Sequence, residues 1–239
     1  MTAKAAELQL PKHLSSNRAT GVHEGEPVAQ FEIGNLSNFI YLIIDWASGA
    51  AWAIDPQTDL EPILNALSKY SLTLQGVLLT HSHHDHIAGV PAILEKFSDI
   101  QVWVHPFDIH RLKNKIKDPA KIHQLKDGEK IPCGSHSLTA HHTPGHSAGE
   151  TSFHLIADKR SYLFTGDTLF IRDCGRTDFE DSSNEEMFQS LQFFKTFSDN
   201  TIVLPGHHYQ PETASTIGRE KLDNPPLKCK SVDELKALP

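Results

Sequence analysis

The sequence predicts an α/β sandwich in which two mixed β-sheets pack face to face and carry helices on their outer surfaces. Short β-rich apolar runs occur in both halves of the chain, and segments with helical spacing or glycine-containing turns separate them. The chain has 239 residues, 38% of them hydrophobic, which is enough for one buried core, and no low-complexity linker divides it. We therefore expect an N-terminal arm over residues 1–27 and a single domain over residues 28–239.

The first half is expected to alternate strands and helices. Gly34-Asn35 and Ser48-Gly49 separate the first three apolar runs, and the segment 59–70 combines an acidic start with apolar residues at helical spacing. The predicted strands cover residues 28–33, 39–44, 50–54, 76–80 and 101–105, and the predicted helices cover 59–70 and 89–97.

The second half repeats this pattern. The segment NEEMFQSLQFFKTF, residues 184–197, is predicted to be a helix. The predicted strands cover residues 137–142, 151–157, 161–166 and 201–206.

The segment THSHHDH, residues 80–86, places four histidines and one aspartate in six consecutive positions. A solvated polar turn is the alternative to a metal site. Residues two apart in an extended segment project to the same side, so His81 and His83 can bind one ion. Asp85 and His86 begin a turn and can face a second ion.

Four predicted strands run into a residue that can bind a metal: His81, His146, Asp167 and His207. Ligand sites gather at strand ends because the loops there are anchored by a rigid sheet. Glycine precedes the last three, which allows a sharp turn and a close backbone approach. Asp167 is taken as the lone acid at the end of a buried strand, with a cap as its alternative role; its two oxygens could bridge two ions.

Imidazole-rich sites with a bridging carboxylate suit zinc, iron or manganese rather than calcium, which prefers oxygen ligands. We expect two divalent metal ions, with zinc as the first choice. The formal net charge of −8 argues against nucleic acid as a partner. Local positive charge from the ions would still attract a small anionic substrate.

The three cysteines, Cys133, Cys174 and Cys229, form no CxxC pair and indicate reduced thiols in a cytoplasmic protein. No signal-peptide core is present, and no stretch approaches the ~20 apolar residues of a membrane span. We therefore expect no membrane partner. The oligomeric state is not predicted.

The segment THSHHDH, together with the later histidines and aspartate, resembles the metallo-β-lactamase superfamily, whose hallmark is HxHxDH followed by a distant His, Asp and His. The resemblance implies a four-layer αββα sandwich. It also implies a first ion bound by His81, His83 and His146, and a second bound by Asp85, His86 and His207, with Asp167 bridging.

Within that superfamily, HHDHIAGV, GDTLF and CGRTDFEDSSNEEMFQSL resemble glyoxalase II, hydroxyacylglutathione hydrolase. This implies hydrolysis of a glutathione-type thioester by a metal-bound hydroxide, which Asp167 would orient while Asp85 accepts a proton. Arg176 and Tyr209 would hold the glutathione end of the substrate. A structural salt bridge is the alternative role for Arg176.

CGRTDF together with STIGREKLDNPPL also resembles persulfide dioxygenases, which oxidise glutathione persulfide on one iron. That resemblance implies His81, His146 and Asp167 as the iron ligands. His84 stands where those enzymes typically carry alanine, which favours the hydrolase. Only 32 residues follow His207, fewer than the longer helical C-terminal region that helps typical glyoxalase II to grip glutathione, and this leaves the substrate open.

A non-catalytic metal-binding scaffold or sensor is the alternative of another class. The complete ligand set argues against it, because degenerate members of the superfamily usually lose ligands. Nuclease activity is disfavoured by the acidic charge balance and the absence of a basic patch.

Overall fold

The computed structural model describes residues 10–15 and 21–238. The arm predicted over residues 1–27 therefore lies partly outside the described residues. Within its described part, Lys12–Leu14 form a 3-10 turn, Leu14 is buried in the core, and Gly21 pairs with Gln30. The boundary between arm and domain stays a prediction.

The first sheet has six strands in the order β1-β2-β3-β4-β5-β6. The first three pair antiparallel, and β3 to β6 pair parallel. The strands are β1 (Val28–Ile33), β2 (Asn38–Asp45), β3 (Ala50–Ile54), β4 (Thr73–Leu78), β5 (Gln101–Val104) and β6 (Ile122–Gln124).

Helices cover the outer face of this sheet. They are α1 (Glu61–Lys69), α2 (His84–Ile87) and α3 (Val90–Lys96), with two 3-10 helices over Pro106–Arg111 and Pro119–Lys121. Ile63 and Leu67 of α1 and Ile93 of α3 pack on the outward side chains of the sheet, such as Leu42 and Val77. The apolar stripe of each helix is therefore buried, as an amphipathic pattern requires.

The second sheet has six strands in the order β14-β13-β10-β9-β8-β7, and β11 and β12 form a separate hairpin. Only β10 and β13 pair parallel within it. The strands are β7 (Lys130–Cys133), β8 (His136–His142), β9 (Thr151–Ala157), β10 (Arg160–Gly166), β11 (Leu169–Phe170), β12 (Asp173–Cys174), β13 (Ile202–Pro205) and β14 (Ser215–Thr216).

The outer face of the second sheet is covered by the remaining helices, α4 (Asn184–Phe194), α5 (Ile217–Asp223), α6 (Pro225–Lys228) and α7 (Val232–Lys236). Met187 and Leu191 of α4 pack with Ile217, Leu227 and Leu235 against this sheet. Ser183 caps α4, since its Oγ accepts a hydrogen bond from the backbone N–H of Glu186. Among the described residues, no helix has the length and apolar character to span a membrane.

The principal core lies between the two sheets. Phe39 and Tyr41 of β2 face Phe153 of β9 and Phe164 of β10, and all four are almost completely buried. The rings of Tyr41 and Phe164 meet edge to face, with centroids 5.0 Å apart. The predicted four-layer αββα sandwich is confirmed.

Several predicted boundaries shift by one to three residues, and two of these shifts have a clear local reason. The strand predicted over 76–80 is β4, which ends at Leu78, because the N–H of Thr80 donates to Asp55 Oδ1 at 2.8 Å and leaves the ladder. The helix predicted over 184–197 is α4, which ends at Phe194 and continues as tight turns, with Phe197 N–H bonded to the carbonyl of Phe194.

Asp45, at the end of β2, is a buried carboxylate with three donors around it. Ser48 Oγ donates at 2.6 Å, and the backbone N–H and Oγ of Ser135 each donate at 2.9 Å. Burial alone would raise the pKa of this group, but these hydrogen bonds outweigh burial and lower the pKa from 3.8 to about 2. The carboxylate therefore joins the first sheet to the β7–β8 turn.

We expect Asp45→Asn to lower the free energy of unfolding at pH 7 by about 2 kcal/mol, because nearly two pKa units of preferential ionisation are lost. The folded pKa lies below the unfolded one, so the stabilisation is present above pH 4 and disappears as the pH falls towards 2. Urea unfolding at pH 7 and at pH 2.5 measures both values. Glu24→Gln, at an exposed carboxylate, should leave the free energy of unfolding nearly unchanged. If Asp45→Asn lowered that free energy by the same amount at both pH values, the role of ionised Asp45 would be refuted.

Candidate metal centre

The predicted ligands meet at one edge of the sandwich, where both sheets end. Asp167 follows β10 directly, and His146 lies in the connection between β8 and β9. Backbone hydrogen bonds hold the two sheets together there. Thr151 N–H donates to the carbonyl of Thr80 at 2.7 Å, and Phe39 N–H donates to the carbonyl of Gly206 at 2.8 Å.

The seven predicted side chains come together although they lie on four separate segments. Within each group below, one ligand atom per residue lies within 4.8 Å of the others. The groups are His81, His83 and His146; His81, His86 and Asp167; and Asp85, His86 and His207.

Close contacts between ring nitrogens define two positions. His83 Nδ1 lies 2.9 Å from His146 Nε2, and His86 Nε2 lies 3.2 Å from His207 Nε2. The carboxylate of Asp167 reaches both pairs: its Oδ2 is 3.5 Å from His146 Nε2 and 3.3 Å from His207 Nε2. One carboxylate thus lies between the two positions, as a bridging ligand would.

The outward nitrogens of His146 and His207 fix the direction of their lone pairs. His146 Nδ1 lies 2.9 Å from the carbonyl oxygen of Arg176, and His207 Nδ1 lies 2.8 Å from that of Leu36. A carbonyl only accepts hydrogen bonds, so each Nδ1 carries the proton. Each Nε2 therefore presents a lone pair to the centre, which is the form that a metal ligand needs.

His81 and His86 are held in the same way by a buried aspartate and a threonine. His86 Nδ1 lies 3.0 Å from Asp55 Oδ2, which also accepts the hydroxyl proton of Thr80 at 2.5 Å. Since that proton is committed to Asp55, Thr80 Oγ1 accepts from His81 Nδ1 at 3.1 Å. Both rings consequently point Nε2 inward.

This arrangement is incomplete without positive charge at its centre. His81 Nε2 and Asp167 Oδ1 are buried and have no hydrogen-bond partner among the described residues. Buried polar atoms normally find a partner, because leaving one unsatisfied costs about 1–3 kcal/mol. The Nε2 atoms of His86 and His207 also face each other, 3.2 Å apart. The donor set therefore fits one or two divalent ions.

The electrostatics agree with this. Burial lowers the pKa of His86, but the carboxylates of Asp167, Asp55 and Asp85 outweigh burial and raise its pKa to about 9. Burial raises the pKa of Asp167, but His86 and His207 outweigh burial and lower its pKa. Three carboxylates thus attract a proton to the position that a cation would take, and binding of a metal would displace that proton.

Two glycines make the close approach of these segments sterically feasible. Gly166 has a φ of +51°, in the left-handed region that favours glycine, and turns the chain into Asp167. A Cβ at Gly206 would lie 2.2 Å from Asp167 Oδ1. The glycines that precede the ligands in the sequence are therefore required by turn geometry and by space.

The predicted substrate residues lie at the rim. Tyr209 is 57% exposed and stacks on His207, with ring centroids 4.8 Å apart. The Arg176 guanidinium pairs with Asp178 and lies 4.7 Å over the ring of Phe179. The salt bridge that was the alternative role for Arg176 is therefore present. The same side chain also lies over Phe179 at the rim of the metal centre.

Several residues around the centre were not anticipated from the sequence. Asp55 directly follows β3 and is 2% exposed, so Asp167 is not the lone acid at the end of a buried strand. Asn38 Nδ2 donates to Asp85 Oδ2 at 2.9 Å. The ring of Phe179 lies 4.9 Å from that of His83. A search for polar residues directly after apolar strands would have found Asp55. No comparable sequence pattern marks Asn38 or Phe179.

Comparisons with known proteins agree with the geometry. The family model of the metallo-beta-lactamase superfamily matches residues 41–207. An uncharacterized protein of Mycobacterium leprae is 31% identical over 84% of this chain and 98% of its own length. The crystal structure of ETHE1 from Myxococcus xanthus has a TM-score of 0.75 at 31% identity, covering 89% of this chain and 92% of that one. The structure of TTHA1623 in a di-iron-bound form has a TM-score of 0.69 at 28% identity, covering 82% of this chain and 98% of that one.

Proposed function

Because the chain belongs to the metallo-beta-lactamase superfamily, we propose that it is a metal-dependent hydrolase of glutathione-type thioesters, similar in chemistry to glyoxalase II. The observation that carries this proposal is the position of Asp167. Its carboxylate lies within 4.0 Å of ring nitrogens of both histidine groups, which supports a two-ion centre. The di-iron form of TTHA1623 supports the same occupancy.

We assign His81, His83 and His146 to one ion, and Asp85, His86 and His207 to the other, with Asp167 shared. Divalent ions held there would lower the pKa of a bound water from 15.7 to about 7, so that hydroxide is available at neutral pH. Zinc is our first choice, and iron or manganese suits the same ligands.

Asp167 and Asp85 are the proposed catalytic carboxylates. Asp167 would orient the attacking oxygen. Asp85 would accept its proton: Asn38 fixes one Asp85 oxygen, and the side chain lies at the open side of the centre, 11% exposed. A thiolate is a good leaving group, so the chain needs no dedicated acid to protonate it.

The substrate is proposed to be a small anionic thiol derivative, with Arg176 and Tyr209 holding its glutathione part. Both side chains are exposed at the rim. The ring of Phe179 packs beside His83, and the ring of Tyr209 stacks on His207. We propose no nucleic-acid or membrane partner.

A cytoplasmic location is part of the proposal. Its support is that Cys133, Cys174 and Cys229 are free thiols, as in proteins of reducing compartments.

Persulfide dioxygenation is the second candidate, and the likeness to ETHE1 from Myxococcus xanthus favours it as much as the sequence cues favour the hydrolase. That reaction needs one iron on His81, His146 and Asp167, three residues whose ligand atoms also converge here. A metal-binding scaffold or sensor without turnover is the remaining alternative.

Parallel assays separate these functions. We expect purified protein to contain two metal ions per chain and to hydrolyse lactoylglutathione. One iron per chain with oxygen uptake on glutathione persulfide would establish the dioxygenase instead. Bound metal without turnover of either substrate would point to the scaffold.

Arg176→Met should raise KM for the thioester about tenfold with kcat nearly unchanged, because one charge-assisted contact of about 1.4 kcal/mol is lost equally from substrate and transition state. The backbone carbonyl that fixes His146 is retained in this variant. Steady-state kinetics measure KM and kcat separately. Arg219→Met, at another exposed and ion-paired arginine, is the control. An unchanged KM would remove Arg176 from the substrate site.

A further inference from the structure

Glu150 is a buried acid that the proposed reaction does not use. It precedes β9 and is 0% exposed. Its backbone takes part in the local turn, because the Glu150 carbonyl accepts from the N–H of Thr143 at 2.9 Å. Acidic side chains are almost never fully buried unless they are paired. The contacts of its carboxyl group therefore indicate why the chain places it there.

The carboxyl group touches three of the segments that carry proposed ligands. Its Oε1 accepts a hydrogen bond from the backbone N–H of Asp167 at 2.8 Å and lies 3.4 Å from His81 Nδ1. Its Oε2 accepts from Ser147 Oγ at 3.4 Å, and Ser147 directly follows His146. One side chain thus anchors the backbone of Asp167 and lies against the His81 ring, whose Nδ1 donates to Thr80. It also contacts Ser147, which Asp108 holds as well.

The opposite strand leaves space for this carboxyl group. A Cβ at Gly166 would lie 2.3 Å from Glu150 Oε1 and 2.7 Å from the Cβ of Thr80. A side chain at position 166 would therefore displace the carboxyl from His81 and Asp167. Gly166, which turns the chain into Asp167, therefore also leaves room for the Glu150 carboxyl group.

The second group of ligands is supported by different residues. Asp55 holds His86, Asn38 holds Asp85, and the carbonyl of Leu36 holds His207. Asp55 also reaches His81 through the Thr80 hydroxyl, so the residues that support the two ligand groups overlap there. Groups that hydrogen-bond the outer nitrogen of a metal-binding histidine set its orientation and basicity.

We propose that Glu150 is a positioning residue for the ion held by His81, His83 and His146, acting through His81 and Asp167 without touching the substrate. The inference rests on the ligand assignment proposed above and not on the reaction. It predicts that the two ions respond unequally to loss of this carboxyl group.

The test is a competition titration of metal-free protein with Co²⁺ against a chromophoric chelator, read together with the visible absorption of bound Co²⁺. In Glu150→Ala we expect the Kd of the ion held by His81, His83 and His146 to rise about 10–100-fold and its absorption bands to shift. The Kd of the other ion, which depends on Glu150 only through the shared Asp167, should rise by a clearly smaller factor. If the chain binds a single ion, the loss should fall on that ion.

Glu220→Ala is the matched control. Glu220 is also 0% exposed, and its carboxylate accepts from Arg172 N–H, Ser215 Oγ and Asn224 Nδ2. This variant should lose thermal stability but keep both Co²⁺ affinities and the spectrum. If the Kd values of both Co²⁺ ions rise by the same factor in Glu150→Ala and in Glu220→Ala, general destabilisation of the fold is responsible. That result would overturn the proposal.

Unchanged Co²⁺ binding in Glu150→Ala would also overturn it. If that variant does not fold, Glu150→Gln takes its place, with a smaller loss expected at the same ion. Unchanged binding in Glu150→Gln would then show that the position needs only to be filled. Failure of thioester hydrolysis would leave this result intact, because the titration measures binding rather than turnover.

Discussion

Asp167→Ala is expected to lose bound metal and to reduce thioester turnover by at least about 1,000-fold, which corresponds to about 4 kcal/mol of transition-state stabilisation. The effect is large because both histidine groups share this carboxylate, with Oδ1 3.6 Å from His86 Nε2 and Oδ2 3.3 Å from His207 Nε2. Its pKa is held below its usual range by these histidines despite burial, so it is a carboxylate at neutral pH.

Metal content by elemental analysis and kcat/KM on lactoylglutathione measure the two losses. Asp199→Ala removes an exposed carboxylate that pairs with Lys221 Nζ at 2.6 Å and serves as the control. A variant of Asp167 that kept both metal and turnover would refute its assignment as a shared ligand.

His207→Ala separates the two enzyme hypotheses. In the hydrolase, His207 is a ligand of the second ion. Its loss should reduce the metal content from two ions to one and turnover by about 100-fold or more, since that ion contributes several kcal/mol of charge stabilisation. In the dioxygenase, the iron ligands are His81, His146 and Asp167, so the same variant should retain one iron and oxygen uptake.

His208→Ala is the matched control, because the neighbouring side chain points elsewhere. His208 Nδ1 lies 2.8 Å from Glu32 Oε2, and its ring packs against Phe39 with centroids 5.0 Å apart. We expect metal content and turnover to be unchanged in this variant. Equal losses in the two variants would show that the segment is disturbed as a whole and that His207 has no separate role.

Most of the metal ligands could be predicted from the sequence because ligands gather where strands end, which is a general property of sheets. Apolar runs that end in glycine and a polar residue place that residue at a sheet edge, and this holds for Asp167 after β10 and His207 after β13. It also applies to Asp55 after β3. The residues around the ligands follow from tertiary contacts: Glu150 reaches His81 only because β9 and the end of β4 meet across two sheets.

The elements that sequence patterns failed to predict are short or contain proline. β7 includes Pro132 and lies at a sheet edge, where a missing N–H is tolerated, so its pattern does not resemble a central strand. The helices α5 to α7 span seven residues or fewer, which is too short for periodicity to identify. The orientation of Arg176 depends on a local ion pair with Asp178 that spacing alone does not determine.

The convergence of ligands around two shared ions is tested most directly by anomalous diffraction from crystals of the metal-loaded protein. We expect two anomalous peaks at the sandwich edge, both beside the carboxylate of Asp167. One peak should be ligated by His81, His83 and His146, and the other by Asp85, His86 and His207. A map without peaks there, or with Asp167 and His207 turned away from the metal, would contradict this convergence.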